Sequence, residues 1–252
     1  MNANKKFLNE ENKAIEPNSK ASEEFSCIDI LEGLSRMTYR NFSIVDYPNN
    51  QFLYVSDNSS SLCGVSSDII MDMGCKFYEE YVVSEDLQLM NAAKAAARNF
   101  LAQIPMEEKF NYILSYNFRI KHEMHETLSL VNHQYTPLKI APTGEVLLAV
   151  CLTSMSSNRC LGMVEITHKD RNEHWVYDRS NDSWKKTPRI VLKKEEKEVV
   201  KLSAQGYSIS DMAEYMNKSF DTIKFYRKSL FRKLDADNIT EAVSRAVSKR
   251  LL

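Results

Sequence analysis

Hydrophobic and polar positions change their period twice along the chain. From Ser22 to Tyr39 apolar residues recur at helical spacing. Phe25, Ile28, Leu31 (with Ile30 beside it) and Leu34 share a face, with Met37 close to it. Such a face packs on a sheet of its own domain or on a partner subunit. The period then falls to two. Phe42–Asp46 and Phe52–Ser56 read as short strands joined by a turn at Tyr47-Pro48-Asn49-Asn50. Serines and Gly64 break residues 58–72 into one-turn helices. Glu85–Ile104 reads as a long helix with Ser84 as its cap and acids in its first turn. Its middle is rich in alanine, so it can lie close to a neighbour. Three longer strand-like runs follow, Tyr112–Lys121, Thr127–Tyr135 and Val146–Ser154, the last two separated by the turn Pro142-Thr143-Gly144. An antiparallel five-stranded sheet with helices on one face satisfies this order. Cys160–Thr167 and His174–Asp178 read as one more hairpin. Residues 180–191, polar and holding Pro188, read as a linker.

The period returns to that of a helix after residue 192. Val199, Val200 and Leu202 give one helix an apolar side, and Gly206 stops it. Ser208 with Asp211 makes a capping-box pattern ahead of Ile209, Met212, Ala213 and Met216. Asn217-Lys218 breaks that helix, and Ser219 caps the next one, with Asp221 in its first turn. On this third helix Ile223, Tyr226, Leu230 and Leu234 share a face, and Lys224, Arg227, Lys228 and Arg232 are assigned to the other. Asn238 and Glu241 open a last helix, where Ala242, Val243, Ala246 and Val247 line one side and offer a small apolar face for pairing.

Four short helices with these joints resemble the LuxR-type (NarL/FixJ-like) helix-turn-helix domain. The resemblance rests on Leu192, Glu196, Glu198, Gly206, Ser208, Asp211-Met212-Ala213, Ser219, Thr222-Ile223-Lys224, Lys233-Leu234 and Asn238-Ile239-Thr240-Glu241-Ala242. Lys193, Tyr226 and Ile239 depart from the usual threonine, histidine and arginine. The resemblance implies that the second helix of the motif enters a major groove. Lys224 and Lys228 would then reach bases, with Phe225 beside them on the same face. Ser219 and Thr222 would meet phosphate, Arg227 would stay on the basic face, and Arg232 and Lys233 would contact the backbone. The front part resembles a PAS sensor domain. That resemblance rests on Asp46, Asn49-Asn50, Tyr54–Asn58, Gly64-Val65-Ser66, Val83–Asp86, Phe118-Arg119-Ile120 and Gly144. It implies a sensory or dimerising module and names no ligand.

The expected fold is α+β: a tail over 1–22, a PAS-like domain over 23–179, the linker, and an all-α four-helix domain over 192–252. Charge sharpens this division. Residues 185–252 carry 16 Lys/Arg against 9 Asp/Glu, a balance of +7, and the rest carry 17 against 25, a balance of −8. A basic module on an acidic one suits a nucleic-acid binder whose sensor must not stick to the same polymer. The five cysteines, Cys27, Cys63, Cys75, Cys151 and Cys160, are scattered, form no C-x-x-C pair and fit reduced thiols in a cytoplasm. No apolar run is long enough to span a membrane, and the N-terminus lacks a signal-peptide core.

His122 and His125, three apart on a strand-like run, would point to opposite faces, which argues against a metal site. Gly74-Cys75-Lys76-Phe77 lacks the asparagine and glutamine that flank the reactive cysteine of flavin photoreceptors. No nucleophile elbow, Walker loop or kinase motif is present. Neither cofactor nor metal is expected, and no enzymatic activity. The reading is a bacterial, cytoplasmic, dimeric transcriptional regulator. Its partners would be double-stranded DNA, a second copy of the chain and RNA polymerase. The alternative is a PAS-based scaffold acting through protein contacts without specific DNA binding.

Overall fold

The structure is a computed structural model that describes residues 27–38, 40–156, 161–171, 173–249 and 251–252. The expected tail at 1–22 lies outside the described residues. The front part runs α1 (Cys27–Met37), β1 (Asn41–Asp46), β2 (Gln51–Val55), α2 (Ser60–Cys63), α3 (Ser67–Met73), α4 (Lys76–Tyr81), α5 (Ser84–Ala102), β3 (Tyr112–Lys121), β4 (Leu128–Ile140) and β5 (Val146–Met155). Three further strands follow, β6 (Val164–His168), β7 (Glu173–Asp178) and β8 (Ser183–Pro188). The chain ends in α6 (Lys194–Ala204), α7 (Ile209–Tyr215), α8 (Phe220–Leu234) and α9 (Ile239–Ser248).

All eight strands form one antiparallel sheet in the order β2-β1-β5-β4-β3-β6-β7-β8. The expected five-stranded sheet is therefore too small. The free edge of β3 takes on β6, with Leu114 opposite Ile166, and so removes an exposed row of backbone donors and acceptors. β8 lies inside the expected linker at 180–191. Its anchor is Trp184, whose indole donates to the Ala96 carbonyl at 3.2 Å and meets the Phe100 ring at 5.6 Å between centroids. The small side chains of α5 permit this approach, because Ala93, Ala96 and Ala97 are buried.

Helix α5 starts at Ser84, one residue earlier than expected. Ser84 is already helical and Val83 is the capping residue, without a side-chain bond. Its acidic first turn is instead fixed to the sheet. Asp86 accepts from Arg119 N at 2.7 Å, Nε at 2.9 Å and a terminal guanidinium nitrogen at 2.8 Å. Burial alone would raise the Asp86 carboxyl, but the Arg119 hydrogen bonds outweigh it and hold it below the ordinary range.

Two hydrophobic cores result. One packs α2–α5 on the sheet around Val65, Met90, Tyr116, Phe118 and Val131. The other holds α6–α9 together around Val199, Val200, Met212, Ile223 and Leu230. They meet at a polar contact, where Lys249 Nζ lies 3.1 Å from a Glu165 oxygen and Arg189 donates to the Lys249 carbonyl at 3.2 Å. His122 and His125 sit in the loop between β3 and β4, not on a strand, with rings stacked at 4.8 Å. The opposite-faces argument therefore does not apply to them. Among the described residues no group of three His, Cys, Asp or Glu is placed to hold a metal.

Candidate nucleic-acid interface

The candidate interface is built on α8 and the turn before it. Helix α7 opens with a closed capping box. Ser208 Oγ accepts from Asp211 N at 3.2 Å, and Asp211 accepts from Ser208 N at 2.9 Å. The turn into α8 passes through Asn217 at φ 49°, a left-handed conformation that asparagine tolerates well. Ser219 Oγ then accepts from Thr222 N at 3.1 Å and caps α8. Ser219 is exposed and Thr222 half-buried, and their hydroxyls lie 2.8 Å apart. Both stand at the positive end of the helix, where phosphate is favoured.

The inner face of α8 buries Ile223, Leu230 and Leu234. Lys224, Phe225, Lys228 and Arg232 are all exposed and fall on the opposite side of the helical wheel. None of the three cations pairs with a carboxylate among the described residues; Lys224 Nζ lies 4.5 Å from the Phe220 ring centroid. Phe225 is 67% exposed, an unusual place for a large apolar ring on a charged helix. Asp221 also points outward, at the N-terminal end of this face.

Two assigned residues are placed differently. Arg227 lies on the flank, half-buried, with its guanidinium 5.9 Å from the Phe231 ring. Lys233 turns inward. Its Nζ lies 2.6 Å from Glu196 and 3.1 Å from the Val191 carbonyl, so it holds the helix down and does not join the outward face. Glu196 is buried and also accepts from Ser229 Oγ at 2.7 Å and Lys193 N at 2.7 Å. The lysine at the usual threonine cap thus supplies its backbone N–H to Glu196, while its own side chain, a donor only, accepts nothing.

Arg245, 5% exposed, is a second seat that sequence reading missed. It donates to the Leu234 carbonyl at 2.8 Å, to the Asp235 carbonyl, and to Glu241 at 2.7 Å. A cation there satisfies the last carbonyls of α8 and opposes its negative end. The spacing Glu241 to Arg245 was the available signal. The apolar face assigned to α9 for pairing is mostly spent on this domain's own core, since Ala242 and Ala246 are buried there and Val243 packs against it. Val247 remains outward at 50% exposure.

Residues 191–246 match the family model described as bacterial regulatory proteins, luxR family. The oxygen regulatory protein NreC of Staphylococcus haemolyticus is 31% identical over 115 residues, 46% of this chain and 52% of that protein. The regulatory protein SdiA of Escherichia coli is 30% identical over 74 residues, 29% of this chain and 31% of that one. The chain thus spans about half the length of the first relative and a third of the second. Among solved structures, the Vibrio cholerae VqmA dimer aligns over 90% of this chain and 89% of that one, at 14% identity and a TM-score of 0.32. A PAS domain from Colwellia psychrerythraea aligns over 51% of this chain and 98% of that one, at 12% identity and a TM-score of 0.37. These overlays are loose. Residues 191–246 are therefore a helix-turn-helix of the kind found in the luxR family of bacterial regulatory proteins, carried behind an antiparallel sheet with a helical layer.

Proposed function

We propose that the chain is a sequence-specific DNA-binding transcriptional regulator in which α8 enters the major groove. The outward face of α8 carries this reading: Lys224, Lys228 and Arg232 without acid partners among the described residues, around an exposed Phe225. Lysine and arginine reach guanine O6 and N7 from such a face, and an apolar ring meets the thymine methyl. Ser219 and Thr222 are the phosphate contacts at the helix start. Arg227 adds charge from the flank, and Lys233 acts by seating the helix.

One four-helix unit reads a single half-site. Two copies, with readers about 34 Å apart, would read a pseudo-palindrome. The apolar side of α1 supports pairing through the front domain, since Ile30 and Met37 are 54% and 75% exposed. The front domain is the sensing part, and RNA polymerase is the further partner of such a regulator. A scaffold without DNA binding would have no use for three unpaired cations around a bare aromatic ring.

The test is selection of bound sites from random double-stranded DNA. The wild-type chain should enrich one motif. Lys224→Ala with Lys228→Ala should abolish that enrichment while leaving thermal unfolding unchanged, because both side chains project into solvent. Enrichment of the same motif by the double variant would refute α8 as the reader.

A further inference from the structure

A cleft of about 770 Å³ opens between α5, the β1–β2 turn and the β4–β5 end of the front domain. Its volume falls within the range of small-molecule sites, roughly 300–1,000 Å³. Tyr47, Tyr78 and Tyr135 line it together with Met90 and Leu101, and Lys94 of α5 enters it from the helix. Lys94 is half-buried by surface, and its Nζ sits 4.9 Å from the centroid of the buried Tyr78 ring.

This ammonium forms no ion pair with any described carboxylate. Its titratable neighbours are the Cys75 and Cys151 thiols and the His133 imidazole. None supplies a counter-charge. Burial pushes the Cys151 thiol up to about 12 and raises Cys75. The fully enclosed His133 is held down to about 3, so it stays neutral. Glu79 and Glu145 also line the cleft, but both are exposed. The tyrosines are likewise kept protonated by burial. Two other cations line the cleft: the buried Lys109, whose Nζ donates to the Gly144 carbonyl at 3.0 Å, and the exposed Arg98. Lys94 is thus the cation that faces the tyrosines with neither a carbonyl nor a carboxylate partner among the described residues. An unpaired ammonium, half-buried against an aromatic wall, loses part of its hydration, and a bound anion offsets that cost.

We propose that the PAS-like domain binds a small organic acid in this cleft, its carboxylate on Lys94 and its flat apolar body among Tyr47, Tyr78 and Tyr135. The inference rests on the reading of the front domain as the sensing part, and it gives the signal a chemical class.

The test uses the full chain without DNA. Acetate, benzoate and 2-naphthoate are titrated calorimetrically, each beside its neutral amide. At least one acid should bind more tightly than its amide by about tenfold to a hundredfold, the difference a charge-assisted hydrogen bond makes. Lys94→Met should erase that preference and should melt higher than wild type without ligand, because the uncompensated charge is gone. Lys94→Gln serves if the methionine variant does not fold. No acid preferred over its amide, a preference that survives in the variant, a lower melting point, or failure of both variants to fold would each overturn the site. A second arm repeats DNA binding with the preferred acid present. An acid that binds but leaves DNA affinity unchanged would reject the sensing role and leave the site standing.

Discussion

Replacing Glu196 by alanine removes the one acceptor shared by Lys193 N, Ser229 Oγ and Lys233 Nζ, at 2.7, 2.7 and 2.6 Å. The carboxylate is 2% exposed and its lysine partner 27%. Breaking a fully buried pair costs about 3–5 kcal/mol. Lys233 can turn partly to solvent, so a loss of about 2–3 kcal/mol is expected. For a unit of this size that lowers the melting point by about 10–20 °C. The assay is thermal and urea unfolding of the full chain, followed at the transition of the helical domain. A double-mutant cycle of Glu196→Gln with Lys233→Met should show a coupling of about 1–3 kcal/mol. Burial raises the Glu196 carboxyl, but the Lys233, Lys193 and Ser229 hydrogen bonds outweigh it and hold it below its ordinary range. A depressed carboxyl stabilises the fold above its unfolded pKa, so this contribution is present at neutral pH and lost as pH falls through the lowered folded value. A cycle with no coupling, or an alanine variant within about 0.5 kcal/mol of wild type, would refute the view that this network seats α8.

Asp86→Asn should lower the urea midpoint at pH 6 and flatten its pH dependence. The Asp86 carboxyl is also held low by Arg119, so its contribution too is lost as pH falls through the folded value. Arg245→Met should destabilise the helical domain by about 2–4 kcal/mol, read from thermal unfolding, because it leaves the Leu234 carbonyl at the end of α8 without this donor and removes the cation beside the half-buried Glu241. Trp184→Ala should cost about 2 kcal/mol and loosen β7–β8, seen as faster amide exchange there, since the indole is their tie to α5. DNA affinity of the full chain should fall steeply between 50 and 200 mM salt through counterion release, and a flat response would remove phosphate contact from the account.

The joints of the helical domain were readable because their chemistry is local. Ser208 with Asp211, Ser219 with Thr222, and Asn238 with Glu241 each bond within three residues, so spacing alone specifies them. The strands showed for a similar reason, since alternation reports which face is buried. What sequence reading lost is what depends on distant partners. Lys233 looks like one more cation on a basic helix until Glu196, 37 residues earlier, is placed beside it. Trp184 sits in a polar stretch with lysines after it; pairing with β7 makes that stretch a strand, and Ala96, 88 residues earlier, ties it to α5. Ala242 and Ala246 are small enough for a pairing face or a tight core, and only the packing of α9 decides between them.

Lys94 is the sharpest case. In an alanine run a lysine ordinarily reads as the solvated side of a helix. Met90 lies four residues before it and Leu101 seven after, so all three share one stripe of α5. Met90 and Leu101 are buried in the core, at 0% and 6% exposure. A lysine on the inward stripe was therefore visible in the spacing. Its meaning was not, because a long side chain on such a stripe can still snorkel outward. The buried Tyr78 ring beside its ammonium, and the lack of a described carboxylate partner, direct it into the cleft instead. A helix that packs by alanine has no structural need for that charge, and its removal should leave the sheet and its helical layer intact. The residue is thus better explained by what enters the cleft than by what holds the fold.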